Sequence, residues 1–340
     1  MKKVTIPGDL ERLLSVVGRG LDNGKVADRA LADLMAALSA LPADKVSRYA
    51  VHIADNARLF IHYNRPSWFQ KLLRRAPVNP WQAARMPGLK YLFLFHFNGR
   101  VREIALQSID GELESPFWFG AVCLRLNDWA EPVRNAAFLC AQRCFPVTAA
   151  DIIAKGAVSL VLTQNTWERW GVERTELDAA LSRPDVVEHI AKIIRERQTG
   201  PVSKILRLMM KSSAIDIHLP QLAAEARQPA VRAMAVQTIA DMTAAWPSHW
   251  EWKWIDKFMG RRKKVHTFER RTVNVEVDRM DIIHAAALDN AAIVRLAALD
   301  ALIKYDPFSA RAAQLAHQLK NDKNHSVRMR ADFLISKISK

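Results

Sequence analysis

At 340 residues the chain exceeds one ordinary globular core, so it holds either two domains or one extended repeat array. Half of its residues are hydrophobic and a quarter charged, which excludes a wholly disordered chain, and no apolar run approaches the roughly 18–20 residues of a membrane span. Lys and Arg outnumber Asp and Glu by 50 to 35, a formal net charge of +15 that favours polyanions: nucleic acid, an anionic membrane surface or an acidic protein.

Helices are predicted over 9–21, 25–41 and 44–61, separated by Asn23-Gly24 and Pro42. With the segment 63–88, broken by Pro66, Pro77, Pro80 and Pro87, they make residues 1–88 a divergent helical N-terminal cap. Within that segment Trp68 to Arg75 reads as a short basic amphipathic helix. The apolar run Leu89–Phe97 is interrupted by Lys90 and His96. Further helices are predicted over 149–162, 173–181, 185–197, 202–212 and 219–227, with a long loop at 163–172 carrying Trp167 and Trp170. Residues 245–277 break the helical pattern. They hold Trp246, Trp250, Trp252 and Trp254, then six basic residues against one acid between Arg261 and Arg271. The tail from Arg271 to Val277 alternates polar and apolar residues and points to a small hairpin or an extended arm.

One pattern recurs through the rest. Val-Arg, followed by small and large apolar residues at helical spacing, begins at Val101, Val133, Val231, Val294 and Val327. The intervals are 32, 98, 63 and 33 residues, all close to multiples of one period. The Val, the alanine three or four residues on and the next Leu or Ile share one helical face, and the alanines permit close approach. Asp128, Asp289 and Asp322 each lie five residues ahead of the Val, in the turn, placed to cap the second helix or meet an Arg. The units at 101 and 231 have His96 and Ala226 there instead.

The Asp-x4-Val-Arg-x2-Ala cores at 128–137, 289–298 and 322–331 resemble those of the HEAT-repeat (armadillo-like) family. The resemblance covers about 90–340. It implies an all-α, right-handed α-solenoid of antiparallel helix pairs with a concave binding face. On that reading 89–244 and 278–340 are HEAT-like repeats, and 245–277 is a Trp-rich basic insertion of the kind that projects from a solenoid and carries its specific function.

Function is read as binding. No GxGxxG, Walker A, HExxH, GxSxG or CxxC motif is present, so no catalytic, cofactor or metal residue is assigned and no cofactor is expected. Cys123, Cys140 and Cys144 read as core thiols of a reducing compartment, and the chain as cytoplasmic. The expected function is a non-catalytic scaffold that recruits nucleic acid or an acidic protein. The candidate partner-binding residues are Trp250, Trp252, Trp254, Arg261, Arg262, Lys263, Lys264, Arg270 and Arg271. The contrary expectation is a solvated loop whose tryptophans pack on adjacent repeats. Arg102, Arg134, Arg232, Arg295 and Arg328, with Asp128, Asp289 and Asp322, form a structural ladder, unless those arginines line an anion-binding groove. The alternative function is that of the bacterial alkylpurine DNA glycosylases, which are built from similar repeats; it would recruit Trp118, Trp129, Trp167 and Trp170 with Asp128.

Overall fold

The computed structural model describes residues 6–59, 78–160, 169 and 171–338. The basic helix expected at 68–75, and Trp167 and Trp170, fall outside them. The chain forms two compact units, 1–186 and 187–340. Both are mostly helical, and no described helix is long and apolar enough to cross a membrane.

In the first unit, α1 (Gly8–Asp22) packs on α2 (Asp28–Ser39) and α3 (Lys45–Asn56). These match the three expected helices, although the second and third are shorter than the spacing suggested. Gly18 lets α1 approach closely: a Cβ there would stand 2.9 Å from the backbone of Ala57. Two single turns, α4 (Pro80–Ala83) and α5 (Leu89–Leu92), lead into α6 (Gly99–Ser108), α7 (Pro116–Leu126), α8 (Glu131–Cys144), α9 (Ala150–Leu160) and α10 (Arg174–Ser182). The helix α11 (Pro184–Glu196) spans the boundary between the units.

The second unit continues with α12 (Val202–Met209), α13 (Leu219–Glu225) and α14 (Pro229–Asp241). An antiparallel hairpin follows, β1 (Thr243–Asp256) and β2 (Arg261–Thr272). The chain closes with α15 (Arg279–Ala286), α16 (Ala292–Tyr305), α17 (Ala310–Leu319) and α18 (His325–Ile338). The hairpin corrects the all-α expectation. It also corrects the position of the extended segment: pairing runs from Thr243↔Thr272 to Asp256↔Arg261, so 273–277 lie beyond it. Pairing with β1 overrode the local alternation of the tail.

The repeat pattern has a common geometry. Val101, Val133, Val231, Val294 and Val327 are each the third residue of their helix and each is fully buried. That helix packs on the one before it (α7 on α8, α13 on α14, α15 on α16, α17 on α18). It also packs on the corresponding helix of the next repeat (α6 on α8, α14 on α16, α16 on α18). The first helices pack on one another in the same way, α7 on α9 and α13 on α15. Each unit therefore contains two helical layers sharing one core.

Arg, the fourth residue, ties the repeats together. Arg102, Arg134, Arg232, Arg295 and Arg328 each donate to the carbonyl six residues earlier, at His96, Asp128, Ala226, Asp289 and Asp322 respectively. The same guanidinium then meets an acid of the following repeat: Arg102 with Asp128, Arg134 with Glu173, Arg232 with Asp289, and Arg295 with Asp322. The turn aspartates accept the N–H two residues on, from Ala130, Ala291 and Asn324. Where His96 replaces Asp, its Nδ1 accepts from Asn98 N–H at 3.0 Å and reproduces that bond. Each of these arginines thus has internal acceptors, and four of the five also meet an acid.

Candidate functional site

The described surface concentrates exposed aromatic and basic side chains on the hairpin. Residues 243–272 carry eight basic side chains against three acidic ones. Cross-strand pairing sets Trp250 opposite His266, Trp252 opposite Lys264 and Trp254 opposite Arg262. Side chains alternate across a strand, so these three pairs share one face. The rungs interact directly. The rings of Trp250 and His266 stack with centroids 3.5 Å apart and planes at 30°. Arg262 lies 5.4 Å from the Trp252 ring and 5.5 Å from that of Trp254, and Lys264 lies 5.5 Å from the Trp250 ring. A lone two-stranded hairpin is marginal in water, and such contacts contribute about 0.5–1 kcal/mol each at exposed sites.

The tryptophans remain open to solvent, 50% exposed at Trp250, 57% at Trp252 and 52% at Trp254. This overturns the expectation that they pack on adjacent repeats. Arg262, Lys263 and Lys264 have no ion pair among the described residues. On the opposite face Lys253 stands directly across from Lys263, a like-charge pairing that destabilises an isolated sheet.

A bulge decides which way the ladder faces. Between Pro247↔Phe268 and Trp250↔His266, β1 advances three residues while β2 advances two. One extra residue inverts the facing of everything beyond it. Trp250, Trp252 and Trp254 thereby join the face that carries Ala245 and Pro247 on β1 and Arg270 and Phe268 on β2. At the hairpin base that face opens into a groove of about 410 Å³, bounded by Arg207, Gln237, Thr243, Ala245, Arg270 and Lys304. Arg207 of α12 lies 5.9 Å from the Phe268 ring. The groove adjoins a second, of about 500 Å³, over α14 and α16, whose floor is kept low by Ala230, Ala233, Ala297 and Ala301.

The base is locked by Arg271. Its guanidinium donates to both carboxylate oxygens of buried Asp216 at 2.7 Å and to the carbonyls of Met210 and Ser212. Asp216 also accepts from Asn274 N–H. Arg271, counted from sequence among the partner-binding residues, is instead spent on seating the hairpin. Arg270 keeps a place on the groove. Within that groove Asp241 accepts from Lys304 and Tyr305. Partial burial raises the Asp241 carboxyl, but Lys304, Tyr305 and Arg270 outweigh burial and hold it below the ordinary carboxylate range.

Of the residues recruited for base excision, the structure describes Trp118, Trp129 and Asp128, and two of these are buried. Trp118 is a core side chain whose indole donates to Ser39 Oγ at 2.8 Å. Asp128 is buried and takes Arg102, Arg125 and the Ala130 N–H. Burial raises its carboxyl, and the two guanidinium groups more than reverse this. Trp129 is exposed. Among the described residues no three His, Cys, Asp or Glu side chains gather as a metal site would require. Cys123, Cys140 and Cys144 are buried, and burial pushes the Cys123 thiol far up.

Sequence reasoning missed His266, Phe268 and Arg207. His266 completes a rung, and its signal was the alternation Arg262-x-Lys264-x-His266. Arg207 comes from a helix about forty residues upstream and had no local signal. The chain matches no protein-family model and no curated protein.

Proposed function

We propose that this chain is a non-catalytic, HEAT-like helical-repeat scaffold that binds a polyanion, specifically single-stranded nucleic acid, along the hairpin and the groove at its base. The observation that carries the reading is the solvent-exposed ladder of Trp250, Trp252 and Trp254, interleaved with Arg262, Lys264 and His266 on a single face. Aromatic faces stack on bases regardless of sequence, while cations beside them neutralise phosphates, the combination used by non-sequence-specific single-strand binders. An acidic protein would use the cations but has no planar bases for the rings. The two-layered packing and the Arg–Asp ties between repeats support the solenoid reading, and a cytoplasmic protein accords with it. The glycosylase alternative lacks support here, because its only named carboxylate, Asp128, is saturated by two arginines.

The test is charge reversal of Arg261, Arg262, Lys263 and Lys264 to Glu, with the fold checked by circular dichroism. All four side chains are exposed, so helicity should be unchanged while oligonucleotide binding at physiological salt is lost. Unchanged affinity in the reversed protein would remove the hairpin from the binding surface.

A further inference from the structure

Beyond the rungs the hairpin ends in a feature that single-strand binding does not require. Ile255, Phe258 and Met259 are exposed at its tip, and Phe258 at 97% has almost no contact with the rest of the chain. Leaving a whole phenyl ring in water is unfavourable, and a loose loop would be expected to fold it back. This turn is built to hold it out. The Asp256 carboxylate accepts the backbone N–H groups of both Phe258 and Met259, at 2.9 and 3.0 Å. Gly260 closes the turn at φ +63, where a side chain would be strained. Lys253, Lys257, Arg261, Arg262 and Lys263 are all exposed and lie on the strand ends and turn next to the apolar tip, so positive charge flanks it in the chain, with Asp256 engaged by the turn. At the other end, Arg271 on Asp216 anchors the lever to the second unit.

Resting on the nucleic-acid reading above, we infer that the hairpin tip is a wedge and that the preferred substrate is a junction between paired and single-stranded nucleic acid. Proteins that kink or open duplexes do so by inserting Phe, Ile or Met between base steps while basic side chains hold the flanking phosphates. Here Phe258 enters the terminal base step of the duplex. The strand it displaces runs down the same face onto Trp254, Trp252 and Trp250, then toward Arg270 and Arg207 in the groove. No bond is made or broken; unstacking is repaid by stacking on the rungs and by phosphate contacts to the flanking cations. A protein that only coats single strands needs the rungs and no tip, and one that only coats duplex needs the cations and no rungs. A junction uses both.

The experiment compares three labelled oligonucleotides of one sequence, single-stranded, fully paired and forked, with 2-aminopurine at the first base pair of the fork. The full chain and its Phe258→Ala variant are titrated against each; with the ring so exposed, the substitution leaves folding intact. The chain is expected to prefer the fork over the paired duplex by about tenfold, a modest share of the gain from stacking the freed bases. 2-Aminopurine fluorescence should rise as the base unstacks. F258A should lose the preference and the fluorescence rise, yet keep single-strand affinity and its salt dependence, because no charge is removed. Equal affinity for all three ligands with silent 2-aminopurine, or an F258A protein indistinguishable from the parent, overturns the wedge and leaves the single-strand reading standing. No binding to any of the three overturns that reading itself. Co-sedimentation with phosphatidylserine vesicles, lost in F258A while oligonucleotide binding is unaffected, would assign the tip to a lipid surface and overturn the wedge.

Discussion

Replacing Asp128 with Ala tests the account of how the repeats are joined. Side-chain exposure is 1% at Asp128, 4% at Arg102 and 13% at Arg125, so the carboxylate sits between two guanidinium groups with little access to water. Arg102 meets both of its oxygens, at 3.0 and 2.8 Å, and Arg125 approaches at 2.6 Å. Burial already lowers the Arg125 guanidinium to about 10 against the opposing pull of Asp128. Without Asp128, two buried cations face each other uncompensated. Removing one partner of a buried pair costs about 3–5 kcal/mol, against about 0–1 for an exposed pair. The exposed pair Arg330–Asp300, at 41% and 54%, supplies the control. D128A should therefore destabilise the first unit by about 3–5 kcal/mol and D300A the second by under about 1. Urea unfolding gives the magnitudes, and hydrogen exchange read by mass spectrometry assigns each to its unit, since two units need not unfold in one step. If D128A costs no more than D300A, the inter-repeat Arg–Asp tie is not what holds α6 to α8.

Three further outcomes follow from the same structure. Arg271→Ala should loosen the hairpin base by stranding buried Asp216. Faster hydrogen exchange and proteolysis within 243–272, with α15–α18 unaffected, would be the signature, and unchanged protection would refute the anchoring role. Asp289 is raised by partial burial but lowered further by Arg232 and the Ala291 N–H, so its folded carboxyl titrates below the unfolded one. The tie therefore stabilises fully above the unfolded carboxylate value of about 3.9 and is lost as pH falls through the folded value. The stability gap between parent and D289N should close as acid is added, and a gap that widens would contradict the assignment. Gly18→Ala should cost about 1–3 kcal/mol, because the new methyl meets rigid backbone at Ala57; a neutral effect in thermal unfolding would show that α1 and α3 can part freely.

The helical repeats were legible because each carries the same solution to the same problem. Val at the third helical position, Arg at the fourth and a turn Asp are local and regular, and their spacing places them in register. The partners of Arg102, Arg232 and Arg295, the turn aspartates of the following unit, fit that regularity, whereas Arg134 meets Glu173, which the pattern did not mark. The hairpin was less legible. Its alternation sets Trp against Glu and Lys where β-branched residues are the usual sign of a strand, and the pairing of 243–256 with 261–272 is a tertiary choice. The facing of the ladder was beyond reach of the sequence, since one unpaired residue at the bulge decides whether Trp250, Trp252 and Trp254 meet the groove or turn away from it. Arg270 and Arg271 show the same limit: neighbours in the chain, one faces the groove and the other is spent on Asp216.

The most direct test of the central claim is a fluorescence-anisotropy titration of a labelled single-stranded oligonucleotide across a salt series, using the parent chain and a W250A/W252A/W254A variant. The account predicts binding at physiological salt that weakens steeply as salt rises, from phosphate contacts by the basic face. It predicts that the variant loses affinity by at least about tenfold while its salt slope is retained, because rings that stack on bases have been removed and the cations have not. A parent chain that binds no oligonucleotide, or a variant that binds as tightly as the parent, would contradict it.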